Sequence, residues 1–277
     1  MTADDVTAAF AEDPALIPYV VAGDPTPEAT ARFVEALVAG GADVIELGLP
    51  FSEPIADGPT IQEGIRRALD AGTTPARYLD LVADLDCAVP IVCMTYYNLL
   101  LQYGDGTEVE TFVEAAAEAG VSGLIVPDLP VEESADLEAA CEAHDVALIF
   151  IVAPTTTPER VERILERASG FVYVQARMGT TGARTDVSED TYASLERLPD
   201  GDLPYAVGFG VSEGAHARAI VEGGADGVVA GSVFVDLIAD AGGVEDAANA
   251  VREKTADLRD GIRTADREDP PEPETTK

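Results

Sequence analysis

Short, nearly continuous apolar runs recur along the chain, and longer segments of mixed polarity separate them. Runs of this kind are typical of strands that are buried on both faces, as in a parallel sheet. We number the predicted strands one to eight in chain order. They are Leu16–Gly23, Val44–Pro50, Pro90–Tyr97, Gly123–Pro130, Ala147–Pro154, Phe171–Met178, Tyr205–Val211 and Gly227–Gly231.

The segments between the strands carry helix signals. Thr26 and Thr157 each precede a proline, which is typical of an N-cap followed by the first helical residue. After Thr157, apolar residues continue at helical spacing as far as Ala168. Glycines at the end of a helical segment favour the left-handed conformation that ends a helix. Three such junctions precede predicted strands, at residues 40–43, 120–123 and 223–227.

Eight strands with intervening helices predict a single (β/α)8 barrel over residues 1–263, and a length of 277 residues suits this fold. A doubly wound open sheet is the alternative. It is disfavoured because no G-x-G-x-x-G follows the first strand. Residues 264–277 are charged and contain three prolines, so we expect an acidic, disordered tail there.

The chain has a formal net charge of −35, from 52 acidic and 17 basic residues. A field of this sign repels nucleic acid and anionic membranes. The acidic residues are scattered over predicted helix faces, which indicates a surface adapted to concentrated salt, where self-repulsion is screened. The three cysteines are odd in number and lack C-x-x-C spacing, so we expect neither a disulfide framework nor a zinc site. Without a disulfide framework, we expect a reducing cytoplasm. No apolar run approaches the roughly 20 residues of a membrane span.

Two carboxylates lie where chemistry is expected in a barrel, at the carboxyl ends of the strands. Glu46 lies within strand two among apolar neighbours, and burial would raise its pKa towards neutrality. Asp57 follows in the next loop, before a helix that we expect to begin near Pro59. Each also has a simpler interpretation. Glu46 could face the helices and pair with an arginine, and Asp57 could be the N-cap of the next helix.

Glycine-rich segments follow strands six, seven and eight. Gly208–Ser212 and Ala230–Ser232 expose backbone N–H groups near helix N-termini, which favours a phosphate. These glycines could equally form only tight turns. The segment Gly179–Arg184 is small enough for a lid, although an ordinary surface loop would have the same composition.

The basic residues exclude several mechanisms. The only lysines are Lys254, on the predicted last helix, and Lys277, so a Schiff base at the barrel mouth is disfavoured. We expect His144 and His216 on helices after strands five and seven, as surface or helix-end residues, and neither has a partner at zinc-ligand spacing. Proton transfer by carboxylates remains, with Tyr173 on strand six as a candidate assistant.

Residues 45–58 read IELGLPFSEPIADG and resemble the signature of the tryptophan synthase alpha subunit family. Supporting segments are YVVAGDP from Tyr19, PDLPVEE from Pro127, GTTG from Gly179 and GFGV from Gly208. The resemblance covers roughly residues 5 to 262. It implies retro-aldol cleavage of indole-3-glycerol phosphate to indole and D-glyceraldehyde 3-phosphate, without a cofactor in this chain. It also implies a beta subunit as partner, which holds pyridoxal phosphate and joins indole to serine in an alpha2beta2 assembly.

The same resemblance implies a role for each site residue. Glu46 moves the protons and Asp57 holds the indole N–H, while Tyr173 and Thr181 orient the catalytic groups and the lid. The implied substrate-binding residues are Tyr19, Ile61, Tyr96, Ile125, Ile151, Thr181 and Phe209. The implied phosphate-binding residues are Gly182, Gly210, Gly231 and Ser232. Pro50 and Glu53 would contact the partner, and no metal is implied.

Two departures from the family pattern stand out. Tyr19 occupies a position where the family often has an aromatic residue without a hydroxyl. Glu53 occupies a position where the family often has aspartate.

Two other functions are open at this point. One is another phosphate-binding barrel, such as an isomerase or an indole-glycerol phosphate synthase, although the synthase needs a barrel lysine. The other is a non-catalytic barrel that only activates a partner subunit.

Overall fold

The computed structural model describes residues 1–104, 108–175, 195, 197–199, 201–208 and 210–266. Its strands form one sheet in which every pairing is parallel. They are β1 (Ala15–Val21), β2 (Ile45–Gly48), β3 (Ile91–Met94), β4 (Val121–Ile125), β5 (Ala147–Ile149), β6 (Ile151–Val152), β7 (Val172–Gln175), β8 (Tyr205–Gly208) and β9 (Gly227–Ala230).

The order of the strands closes the sheet. It runs β5-β4-β3-β2-β1-β9-β8-β7-β6, and β5 and β6 are consecutive segments separated by Phe150 alone. The two ends of the sheet are therefore one continuous stretch of chain. If β5 and β6 are counted as one strand, the sheet is a closed barrel of eight strands. This confirms the predicted (β/α)8 fold.

Most helices lie between strands in sequence, while the first precedes β1 and the last two follow β9. The helices are α1 (Ala3–Ala8), α2 (Pro27–Ala39), α3 (Pro59–Asp70), α4 (Pro75–Asp84), α5 (Tyr97–Leu101), α6 (Val109–Ala119), α7 (Ala135–Ala143), α8 (Pro158–Leu165), α9 (Gly214–Glu222), α10 (Ser232–Asp240) and α11 (Val244–Arg263). A 3-10 turn covers Val131–Glu133. Of the helices that the structure describes, none is both long and apolar enough to cross a membrane.

Most strands end earlier than the apolar runs predicted. Predicted strand four, for example, extends to Pro130, but β4 ends at Ile125. The residues after the strands remain apolar because they are packed at the barrel mouth, as the buried Val126 and Leu129 are. Predicted strand five is interrupted at Phe150. Before this residue the chain pairs with β4, and after it the chain pairs with β7, a change that hydrophobicity alone does not reveal.

The local signals for helix ends agree largely with the structure. The Thr26 hydroxyl accepts a hydrogen bond from the backbone N–H of Ala29, 3.2 Å away. Thr157 also occupies an N-cap, although its side chain makes no cap hydrogen bond and the helix ends at Leu165, before Ala168. Gly120 has a φ of +103°, the left-handed value expected of a glycine that ends a helix.

The two histidines correct the sequence analysis. His144 does lie at a helix end, but it ends α7, which precedes β5, so the helix follows predicted strand four rather than strand five. His216 lies on α9 after predicted strand seven, as expected, but it is buried rather than at the surface. Its Nδ1 accepts a 3.3 Å hydrogen bond from the backbone N–H of Ser212, just before the helix.

Alternation along β2 determines which way Glu46 points. Ile45 and Leu47 belong to the large apolar cluster between strands and helices. Successive side chains of a strand point to opposite faces, so Glu46 lies on the barrel interior. The simpler interpretation, in which Glu46 faces the helix layer, is therefore excluded.

Candidate active site

Glu46 lies at the barrel interior beside its neighbours in register, Tyr19 on β1 and Val92 on β3. The side chain is buried, and within the described part of the chain no ion pair includes it. Burial first, and then the charge of Asp57, raise the pKa of Glu46 to about 8. A carboxyl group with this pKa exchanges a proton readily near neutral pH, as a general acid and base must.

Asp57 is held by a tyrosine rather than by a helix. The N-cap of α3 is Gly58, so Asp57 does not cap that helix. Its Oδ2 instead accepts a 2.6 Å hydrogen bond from the hydroxyl of Tyr96. That hydroxyl in turn accepts a 3.0 Å hydrogen bond from the backbone N–H of Ala56.

The surroundings of Asp57 differ from those of Glu46. Burial raises the pKa of Asp57, and the hydrogen bond from Tyr96 opposes that rise by stabilising the charged form. Asp57 is therefore the better hydrogen-bond acceptor at neutral pH, while Glu46 is the better proton donor. Two carboxyl groups with such different environments are suited to different roles in one reaction.

Tyr173 lies on β7, in register with Ile151 and Ala206. Burial and the charges of Glu46 and Asp57 raise its pKa well above the usual value, so the hydroxyl stays protonated. A Cβ at Gly208 of β8 would overlap this hydroxyl. Because glycine has no side chain, there is room for the hydroxyl at this position. Tyr173 can therefore donate a hydrogen bond inside the barrel.

Two neighbouring cavities open at this end of the barrel. The Glu46 cavity has a volume of about 260 Å³, and its walls include Tyr19, Glu46, Gly210, Gly231 and Ser232. The Asp57 cavity has a volume of about 440 Å³, and its walls include Asp57, Ile125 and Ile151. Both are lined by Gly58, Ile61 and Tyr173. The two cavities thus share a wall and form one continuous site.

The Glu46 cavity meets the start of a helix. Gly231 is the N-cap of α10, and its carbonyl oxygen accepts hydrogen bonds from the N–H groups of Phe234 and Val235. The first N–H groups of a helix have no partner within it, and the helix dipole favours an anion at this place. Gly210, with a φ of +77°, brings the loop after β8 to the same cavity.

The remaining predicted residues take several positions. Tyr96 is buried behind Asp57, where its ring packs at 5.1 Å from that of Phe51. Of the two residues predicted to contact a partner, Glu53 is exposed, whereas Pro50 is buried in this chain. Thr181, Gly182, Phe209 and the predicted lid at residues 179–184 lie outside the described residues.

Some wall residues were not predicted from the sequence. Met94 and Gln175 are the last residues of β3 and β7, and Phe150 separates β5 from β6. All three line the Asp57 cavity. Their position at the carboxyl ends of strands was the available signal, since that is where barrel sites form.

The arrangement supports acid–base chemistry on a molecule with an apolar ring and an anionic group. The apolar walls suit the ring, the helix start suits the anion, and each of the two adjoining cavities contains one of the carboxyl groups. Among the described residues, no group of three or more histidine, cysteine or acidic side chains is placed to hold a metal ion.

Comparison with known proteins identifies the family of the chain. Residues 7–263 match the family model described as tryptophan synthase alpha chain. The chain is 58% identical over 274 residues to the tryptophan synthase alpha chain of Halobacterium salinarum, covering 99% of each protein. It is 54% identical over 272 residues to that of Haloferax volcanii, covering 97% of this chain and 98% of the relative.

Solved structures show the same likeness. A chain of the Pyrococcus furiosus tryptophan synthase a2b2 complex matches with a TM-score of 0.82 and 38% identity, over 90% of this chain and 98% of that one. The alpha subunit from Legionella pneumophila matches with a TM-score of 0.83 and 31% identity, over 95% and 99% of the two chains. From its sequence, its fold and these matches, the chain belongs to the tryptophan synthase alpha chain family.

Proposed function

We propose that the chain cleaves indole-3-glycerol phosphate to indole and D-glyceraldehyde 3-phosphate. The observation that carries this proposal is the pairing of Glu46 and Asp57 at one cavity system that ends at the start of α10. Family membership supplies the substrate, and the geometry supports it. An indole ring suits the apolar walls, and a phosphate suits the helix N-terminus.

The reaction needs protons to move but no net change of oxidation state. A proton is added to indole C3, and the bond from C3 to the glycerol chain then breaks. The adjacent glycerol hydroxyl loses its proton and becomes the aldehyde carbonyl. We assign both transfers to Glu46, because its raised pKa lets it give the first proton and take the second.

Asp57 takes a different role in this scheme. Protonation at C3 places positive charge on the indole ring, and this charge is shared with the ring nitrogen. Asp57, which the hydrogen bond from Tyr96 keeps a good acceptor, would bind the indole N–H and stabilise that charge. Tyr173 and Thr181 would orient the catalytic groups.

The binding residues divide between the two ends of the substrate. Ile61, Ile125 and Ile151 would contact the indole ring. The remaining substrate-binding residues of the proposal are Tyr19, Tyr96 and Phe209. Gly182, Gly210, Gly231 and Ser232 would hold the phosphate through their backbone N–H groups.

We further propose a beta subunit as partner, in an alpha2beta2 assembly that receives the indole. The loop between β2 and α3 supports this, because Glu53 is exposed and Ile55 exposes 80% of its surface on the isolated chain. Pro50, buried at the base of this loop, would shape it rather than contact the partner through a free surface. In this proposal pyridoxal phosphate belongs to the partner, the alpha chain uses no cofactor, and the reaction takes place in the cytoplasm.

The direct test is indole release from indole-3-glycerol phosphate by the purified chain in concentrated potassium chloride, with and without a beta subunit. We expect indole in both cases, and faster release with the partner. A chain that releases no indole in either case, but still stimulates the partner, would instead be a non-catalytic activator.

A further inference from the structure

Lys254 contacts the loop that leads from the Glu46 cavity to α9. It lies on α11, and its Nζ donates a 3.0 Å hydrogen bond to the carbonyl oxygen of Ser212, in the loop between β8 and α9. The same ammonium pairs with Asp257, at 3.0 Å from Oδ2. The chain has only two lysines, Lys254 and Lys277, and 15 arginines. One of these two lysines binds this loop.

Further hydrogen bonds hold the same segment. The backbone N–H of Ser212 donates to Nδ1 of the buried His216, at 3.3 Å. The backbone N–H of Gly214 donates to Oδ2 of Asp257, at 3.2 Å. Both backbone polar groups of Ser212 are thus bound by side chains, one by His216 and the other by Lys254. Such a segment has little freedom to change its course.

The base of this arrangement is a close helix contact. A Cβ at Gly261 would overlap the carbonyl oxygen of Gly214, and a Cβ at Gly214 would overlap that of Asp257. The two glycines therefore let the start of α9 approach the backbone of α11 directly. Lys254 and Asp257 project from this contact, so α11 forms a fixed support for the loop.

The supported segment leads directly to the Glu46 cavity. Gly210, two residues before Ser212, lines that cavity together with Gly231 and Ser232. Among the described residues that line it, there is no lysine or arginine. A phosphate there would depend on backbone N–H groups in a chain whose net charge is −35. Backbone donors bind an anion well only when they are held in place beforehand.

We propose that Lys254 is a positioning residue for phosphate binding. It holds the Ser212 carbonyl, with Asp257 as its anchor, and so fixes the Gly210 backbone at the phosphate of the substrate. This inference rests on the proposed function, because it assumes that the Glu46 cavity receives the substrate phosphate. Lys254 does not touch the substrate, and it acts through the loop.

The test compares Lys254→Met, Lys254→Arg and Arg252→Met in the full chain in concentrated potassium chloride. Arg252→Met is the matched control, because Arg252 is an exposed cation on the same helix and its loss changes the net charge equally. The Kd of inorganic phosphate is measured by calorimetry. Cleavage of indole-3-glycerol phosphate and of dephosphorylated indole glycerol is measured on the same preparations.

We expect Lys254→Met to weaken phosphate binding about tenfold, since a hydrogen bond from a charged group is lost, and to raise KM for the phosphorylated substrate similarly. Its kcat should stay within about twofold, and cleavage of indole glycerol should be unchanged. Lys254→Arg, which keeps the charge and a donor, should restore most of the binding.

Equal phosphate Kd values for Lys254→Met and Arg252→Met would overturn the inference. So would an equal loss on the phosphorylated and dephosphorylated substrates, since that marks a general structural role. If Lys254→Met does not fold, Asp257→Asn is compared with Asp260→Asn, and only the former should weaken phosphate binding. Failure of the unchanged chain to release indole would instead refute the proposed function.

Discussion

The hydroxyl of Tyr96 lies between the backbone of Ala56 and the carboxylate of Asp57, and it donates its proton to Asp57 Oδ2 over 2.6 Å. One hydroxyl thus fixes both the course of the loop after β2 and the orientation of its acidic side chain. Because the hydrogen bond stabilises the charged form, it also opposes the rise in the pKa of Asp57 that burial causes.

Tyr96→Phe should raise the pKa of Asp57 further, because burial then acts without that hydrogen bond. Asp57 would need a higher pH to ionise, so the acid limb of the kcat/KM profile should move to higher pH. We also expect activity to fall about tenfold, the usual effect of losing a hydrogen bond to a charged group. The measurement is the pH dependence of indole release, with the neighbouring Tyr97→Phe as control. An unchanged acid limb would show that Tyr96 does not tune Asp57.

Asp57→Asn should reduce indole release by about a hundredfold or more, because the amide cannot stabilise the developing charge on the indole ring. Since Gly58 rather than Asp57 caps α3, thermal stability should change little. Activity and unfolding temperature are measured on the same preparation. A loss of activity below about tenfold, or ~1.4 kcal/mol, would remove Asp57 from the chemistry.

The raised pKa of Glu46 also predicts how stability depends on pH. Glu46 has a pKa of about 8 in the folded chain and an ordinary value of 4.5. Between these values the folded state keeps the proton and the unfolded state releases it, so the free energy of unfolding falls as pH rises. Below pH 4.5 both states hold the proton and this penalty disappears.

Glu46→Gln removes that penalty, so the variant should be more stable than the unchanged chain by about 3 kcal/mol at pH 7, and equal to it at acid pH. Denaturant unfolding of the variant and of the unchanged chain at a series of pH values measures the difference. A difference that does not vary with pH would mean that Glu46 is charged at neutral pH in the folded protein.

The barrel could be predicted well from the sequence because the same strand and helix patterns recur along the chain. Eight apolar runs separated by helix signals leave few alternatives, and β1 and β9 lie close to where those runs are. The break at Phe150 was not predicted, because a residue between two strand segments is as apolar as its neighbours. The burial of His216 was missed because it depends on tertiary packing, which the position of a residue in a predicted helix does not reveal.

The site was predictable in part. The placing of Glu46 and Asp57 in one site follows from the barrel, since Glu46 lies within β2 and Asp57 in the loop after its carboxyl end. Whether Asp57 caps α3 did not follow, because Asp57 and Gly58 are both acceptable N-caps and only the backbone decides between them. The hydrogen bond from Tyr96 to Asp57 joins residues 39 positions apart, and no local sequence pattern predicts it.

The most direct test of the central claim is indole release by Glu46→Gln. We expect no measurable indole from indole-3-glycerol phosphate, while the far-ultraviolet circular dichroism and the binding of a beta subunit remain those of the unchanged chain. Glu142→Gln, at an exposed position on α7, is the control and should keep full activity. Normal indole release by Glu46→Gln would contradict the account, because the residue assigned to both proton transfers would then be dispensable.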